Sequence, residues 1–221
     1  MTDAETMLLK NGITVICRRI YGEPLLQLSD ALYQGGIRLI EVTFDQEDPD
    51  SLIKTGEAIR ALTERHPDMC IGGGTVLTEA QLRTLKDAGG RFAVAPNTNP
   101  VLIREAIRMG LCPVPGAMTP SEIVSAHDAG AGIVKLFPMD FLGAGFLRSL
   151  RAPLGHIPLF GAGGITPANL EELLRAGLRC AGVSSYLTDA KLLAAGSFGE
   201  FTRRAADMTE IFRRVYPEAA T

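Results

Sequence analysis

Residues 157–177 read IPLFGAGGITPANLEELLRAG. A β-rich apolar run, Ile157–Gly164, ends in a glycine turn. The pair Thr166-Pro167 then opens a helix over Thr166–Ala176, with the proline in its first turn, and Gly177 stops it. This is one complete βα unit, and the same order recurs along the chain. Further apolar runs of strand length are Ile13–Arg19, Arg38–Phe44, Cys70–Val76 and Arg91–Pro96, then Cys112–Met118, Gly132–Pro138 and Cys180–Leu187. Helical patterns lie between them. Pro24–Gln34 repeats apolar residues at Leu25, Leu28 and Leu32, and Thr78–Ala88 opens on a T-x-x-Q cap. Asn99–Met109 and Thr119–Ala129 each pair an Asn or Thr with proline at the start. Glycines stand where these helices should end, at Gly35, Gly89, Gly110, Gly130 and Gly177.

Eight such units in 221 residues average about 28 residues each. Strict alternation with short connections implies a parallel sheet. Eight units suit a closed (β/α)8 TIM barrel better than an open doubly wound sheet. The segment before Ile13 is expected to form a short helix covering the bottom of the barrel, and Ser197–Val215 a final helix. With no linker or shift in composition, residues 1–221 are expected to make a single domain.

Composition narrows the function classes. The net charge of −3 and pI near 5.7 offer no basic footprint for nucleic acid, and no apolar run is long enough to span a bilayer. The start, MTDAETMLLKNG, lacks the apolar core of a secretory signal, so a cytoplasmic protein is expected. Cys17, Cys70, Cys112 and Cys180 are far apart with no C-x-x-C pair and read as reduced core thiols. His66, His127 and His156 show no metal-ligand spacing. The acidic cluster Asp45, Glu47, Asp48 and Asp50 reads as a solvated turn and helix start rather than a cation site. No metal is expected.

A (β/α)8 barrel carries its chemistry at the C-terminal ends of its strands. Those ends offer Arg18 and Arg19, Glu41, Thr75, Asn97, Pro115-Gly116, Lys135, Gly163-Gly164 and Ser184-Ser185. Lys135 is the sharpest of them. Of five lysines it alone sits inside an apolar strand, I-V-K-L-F-P, with Ile133 and Phe137 on its face. An ammonium so placed must be paired or functional, and desolvation frees the amine to attack a carbonyl. Glu41, in R-L-I-E-V-T-F, shares a face with Leu39 and Thr43. It is either the lysine's ion-pair partner or the base that moves protons once an imine forms. The Gly163-Gly164 turn before a helix, with Ser185 after the last strand, matches the phosphate site that barrels build from their last two strands. The plainer reading is a tight turn without a ligand.

These residues in this order resemble the KDPG/KHG aldolase family, the class I aldolases acting on 2-keto-3-deoxy-6-phosphogluconate and 4-hydroxy-2-oxoglutarate. The likeness runs through GGIRLIEVT, IGGGTVLT, FAVAPNTNP, PVPGAMTPSE, VKLFP and GAGGITPANL to the final S-Y-L. It implies a trimeric barrel without a metal or other cofactor, acting on a small keto acid through a covalent imine to pyruvate. By that resemblance Lys135 is the Schiff-base lysine and Glu41 the general acid/base. Thr75 holds the pyruvyl carboxylate, Pro96 and Pro115 line the pocket, and Phe137 packs beside the imine. Gly163, Gly164, Ser184 and Ser185 form the phosphate cradle. One departure stands out. Where phosphogluconate-specific members carry an arginine four residues after the base, this chain has Asp45, which would repel a carboxylate. Arg18 matches an arginine ending the first strand in other members and supplies a cation there. Two rival readings are a phosphosugar epimerase or synthase on the same barrel, and a non-catalytic sugar-acid-binding barrel.

Overall fold

A computed structural model describes residues 2–220. Its strands are β1 (Ile13–Cys17), β2 (Leu39–Thr43), β3 (Cys70–Gly74), β4 (Phe92–Val94), β5 (Cys112–Val114), β6 (Gly116–Ala117), β7 (Val134–Leu136), β8 (Leu159–Ala162) and β9 (Cys180–Val183). All pair in parallel, in the order β5-β4-β3-β2-β1-β9-β8-β7-β6. The strands β5 and β6 are two halves of one barrel position, parted at Pro115, which has no N–H to give to a ladder. Every one of the eight apolar runs read from the sequence therefore holds a strand, and the sheet closes as a (β/α)8 barrel.

The helices are α1 (Asp3–Asn11), α2 (Gly22–Gln34), α3 (Ser51–Arg65), α4 (Glu79–Asp87) and α5 (Pro100–Arg108), then α6 (Pro120–Asp128), α7 (Met139–Leu154), α8 (Pro167–Arg175), α9 (Ala190–Ala194) and α10 (Phe198–Val215). Local chemistry sets their starts. Thr78 and Thr119 accept from the N–H groups of Gln81 and Glu122, whose side chains reach back to the caps. Asn99 accepts from Val101 and Leu102 ahead of α5. At the end of α2 Gly35 (φ −77°) is the cap, and Gly36 (φ 93°) takes the left-handed place that follows it. α7 carries no clean pattern because Gly143 (φ 68°, ψ 176°) breaks its helical geometry from within. Among the described residues no helix is long and apolar enough to cross a membrane.

Two apolar layers hold the barrel. The larger lies between strands and helices and includes Val15, Ile40, Val42, Leu62, Leu82 and Leu173. The smaller fills the interior with Ile16, Leu39, Phe92, Val94, Val114, Ile133 and Phe160. Three of the four cysteines, Cys70, Cys112 and Cys180, belong to this interior layer, and all four are free and buried. α1 closes the N-terminal end with Ala4 and Leu8; the Leu8 carbonyl meets Cys180 Sγ at 3.4 Å, and Asp3 pairs with Arg91. Interior glycines make room higher up. A Cβ on Gly72 would overlap the Phe92 ring, one on Gly116 the Pro96 backbone, and one on Gly182 would stand 2.8 Å from Phe160.

Candidate active site

Strand alternation sends Lys135 inward from β7 while Val134 and Leu136 face the helices. Its residue is 6% exposed, and Nζ lies 4.6 Å from the centre of the Phe137 ring. Among the described residues the ammonium has neither a hydrogen bond nor a carboxylate within 4.0 Å. Glu41 enters the same interior from β2 at 2% exposure. Its carboxyl packs against Gly74, where any Cβ would collide with it, and its Oε2 finds no partner. The two groups feel each other's charge without forming the close ion pair that a structural role would require.

Burial pushes the Glu41 carboxyl upward, against the pull of Lys135 and then Arg18. Burial likewise pulls the Lys135 amine down, with Glu41 opposing and Arg18 reinforcing. Both shifts favour the uncharged forms, an amine with a free lone pair and a carboxyl that still holds its proton. That is the pairing a nucleophilic amine and its proton donor need. The cysteines play no such part: burial lifts the Cys17, Cys70 and Cys180 thiols to about 12 and moves Cys112 the same way.

A cavity of about 370 Å³ opens onto Lys135 at the C-terminal face of the barrel. Arg18 and Phe137 line it, as do Gly163, Gly164, Ser184 and Ser185, so with Lys135 half of the strand-end residues singled out from the sequence meet in one place. Gly163 (φ 101°) and Gly164 (φ 67°) adopt backbone open to glycine and lead into the N-terminus of α8. Asn169 fastens this turn, donating to the Gly164 carbonyl (2.8 Å) and accepting from the Thr166 N–H (2.8 Å). Pro138, Asp140 and Thr166 also line the cavity. The strand-end rule would have found them had it been extended two to four residues past β7 and β8.

Other expected residues stand apart from this cavity. Thr75 directly follows β3, half-buried, with a left-handed backbone (φ 55°) that is an outlier for a β-branched residue. Neither it nor Pro96 lines the cavity. Pro115 is turned outward, lining a cleft with Leu102 and Ile103 of α5, and its carbonyl accepts the Lys135 N–H (2.8 Å). It registers β7 from the outer side, because Val114 and Gly116 take the inward positions. Among the described residues no cluster of three His, Cys, Asp or Glu side chains could hold a metal ion. A wider groove of about 660 Å³ between α5 and α6 gathers no buried titratable groups.

A desolvated lysine inside a (β/α)8 barrel, beside a buried carboxyl and below an open cavity, is an arrangement suited to imine chemistry on a carbonyl substrate. The comparisons agree. The sequence profile described as "KDPG and KHG aldolase" matches residues 5–204. A probable 2-dehydro-3-deoxy-6-phosphogalactonate aldolase from Rhizobium meliloti (strain 1021) is 32% identical over 210 residues, covering 94% of each chain. Among solved structures, native KDPGal superposes with a TM-score of 0.82 at 29% identity, covering 93% of this chain and 96% of that one. The KDPG aldolase from Legionella pneumophila, with pyruvate captured as a covalent carbinolamine, gives 0.83 at 25%, covering 94% and 98%. The chain belongs to the KDPG and KHG aldolase family. It is a class I aldolase, a carbon–carbon lyase, and the epimerase and binding-barrel readings give way.

Proposed function

We propose that this barrel reversibly cleaves a 2-keto-3-deoxy sugar acid, of the 6-phosphogalactonate or 6-phosphogluconate type, or 4-hydroxy-2-oxoglutarate, to pyruvate and an aldehyde. Lys135 is the nucleophile and Glu41 the proton carrier. The neutral amine attacks the C2 carbonyl, and the Glu41 carboxyl protonates the departing hydroxyl as the carbinolamine loses water to give an iminium. The resulting carboxylate, through a water, takes the proton from the C4 hydroxyl. The C3–C4 bond breaks, its electron pair passes into the iminium as an enamine, and the aldehyde leaves. Protonation at C3 and hydrolysis release pyruvate and restore the amine.

The observation that carries this reading is Lys135: buried, unpaired, and open to a cavity. Arg18 and Thr75 are assigned to the substrate's anionic groups, and Pro96 and Phe137 to the walls around the imine. Gly163, Gly164, Ser184 and Ser185 are assigned to a phosphate, which the α8 N-terminus and the φ values of the glycines support. The chemistry is complete without a metal or other cofactor. We further take residues 1–221 as one domain, working as a cytoplasmic homotrimer. The test is reduction with borohydride in the presence of pyruvate. It should leave a stable adduct on the peptide bearing Lys135, and an adduct elsewhere or none would refute the assignment.

A further inference from the structure

The end of β1 carries two consecutive arginines with different surroundings. Arg18 follows Ile16 in the inward alternation, lines the cavity, and makes no hydrogen bond or ion pair with the described residues. Arg19 turns away through a left-handed backbone (φ 54°) toward the loop after β2. There its Nε and Nη2 donate to both oxygens of Asp45, at 2.6 and 3.1 Å, and Nη2 also reaches Glu47 at 3.2 Å. The Glu47 N–H donates to the same Asp45 carboxylate at 3.2 Å.

Asp45 holds the parity of Leu39, Glu41 and Thr43 on the strand that carries Glu41. Were that alternation to continue past β2, an aspartate there would turn its charge to the interior side on which Arg18 lies, against an incoming anionic keto acid. Yet its side chain is only 15% exposed, under the guanidinium of Arg19. Arg19 is itself 66% exposed, so this ion pair adds little to folding stability, and a non-glycine residue in left-handed backbone needs some other reason to be there. We propose that Arg19 is a positioning residue, which holds and neutralises Asp45 so that Arg18 stays free for an anionic group of the substrate.

The inference rests on the aldolase reading above, and its test separates the two. KM and kcat for 2-keto-3-deoxy-6-phosphogalactonate, thermal midpoints and borohydride–pyruvate labelling are measured for the wild type, R19A, D45N and the double variant. R19A should raise KM about three- to tenfold with kcat within twofold and labelling of Lys135 intact. D45N alone should leave KM at or below the wild-type value, and R19A/D45N should return to it, since there is no longer a carboxylate to hold. If R19A leaves KM unchanged, or if the double variant is no better than R19A, the pair is only structural and the inference falls. If the wild type itself fails to label at Lys135, the aldolase reading falls first and the inference with it.

Discussion

Gly74 is the position at which the proposed proton carrier can be displaced without being replaced. A Cβ built there would stand 2.5 Å from Cδ and 2.8 Å from Cγ of Glu41, and closer still to Oε1, whereas real Cβ atoms keep about 3.0 Å. In Gly74→Ala the carboxyl must therefore retreat by roughly 1 Å. It is walled in by a closed barrel, so the retreat carries it off its line to the substrate. A misplacement of about 1 Å can lower a rate on the order of 100-fold, close to 2.7 kcal/mol in the barrier. The expected result is a fall of that size in kcat/KM for aldol cleavage, followed by coupling pyruvate release to its reduction. Borohydride labelling of Lys135 should persist, because β7 is untouched by the new methyl. The control is Gly73→Ala, whose Cβ points outward and meets Leu85 and Phe44 at 3.2 Å. It should cost some thermal stability while leaving the turnover of folded enzyme within a few-fold of wild type. Wild-type kcat/KM in Gly74→Ala, or an equal loss in Gly73→Ala at equal folded fraction, would refute the placement of Glu41.

Two other outcomes follow from burial and backbone strain. Burial raises the Glu41 carboxyl, so its contribution to stability is complete below the ordinary value near 4.5 and is lost as pH rises through the folded-state value. Glu41→Gln should therefore become progressively more stable than wild type on going from about pH 4 to pH 8, while losing turnover; a melting-temperature difference that stays flat with pH would contradict this. Thr75→Gly should relieve the left-handed strain at φ 55° and, after the entropy that glycine adds to the unfolded chain, raise the melting temperature by about 2–4 °C. The same change should raise KM for pyruvate in proton exchange at its methyl group. A variant that is stabilised with unaltered KM would remove Thr75 from carboxylate binding.

The eight units and their strand ends were legible because each signal is local: an apolar run, a Thr- or Asn-led start, a glycine stop. Lys135, Arg18, the Gly163-Gly164 pair and Ser184-Ser185 come from one rule, that chemistry sits where barrel strands end, Phe137 comes from the resemblance, and the fold brings them to one cavity. What stayed hidden depends on geometry that periodicity does not carry. Pro115 divides its strand and faces the helices, leaving Gly116 to hold the inward place, which nothing in P-V-P-G announces. Asp45 reads as part of a solvated turn and, by the resemblance, as an acid that would repel a carboxylate; nothing in R-R-I-Y announces that Arg19 adopts φ 54° and reaches 26 residues ahead to meet it. The missing short-range ion pair between Lys135 and Glu41 is equally invisible in sequence, although it separates a catalytic pair from a structural one.

The interior glycines bear on how this enzyme can be altered. At Gly72, Gly74, Gly116 and Gly182 the space a side chain would need is already taken by Phe92, Glu41, the Pro96 backbone and Phe160. The barrel wall around the lysine is thus saturated from within, and selection for new aldehydes has no room to enlarge or reshape it through the strands. Substrate range must be adjusted from the rim, where Arg18 and Ser184-Ser185 sit on loops and Asp140 in the first turn of α7, positions that can change without disturbing the imine chemistry beneath. Libraries for directed evolution should be spent there, leaving the strand positions fixed.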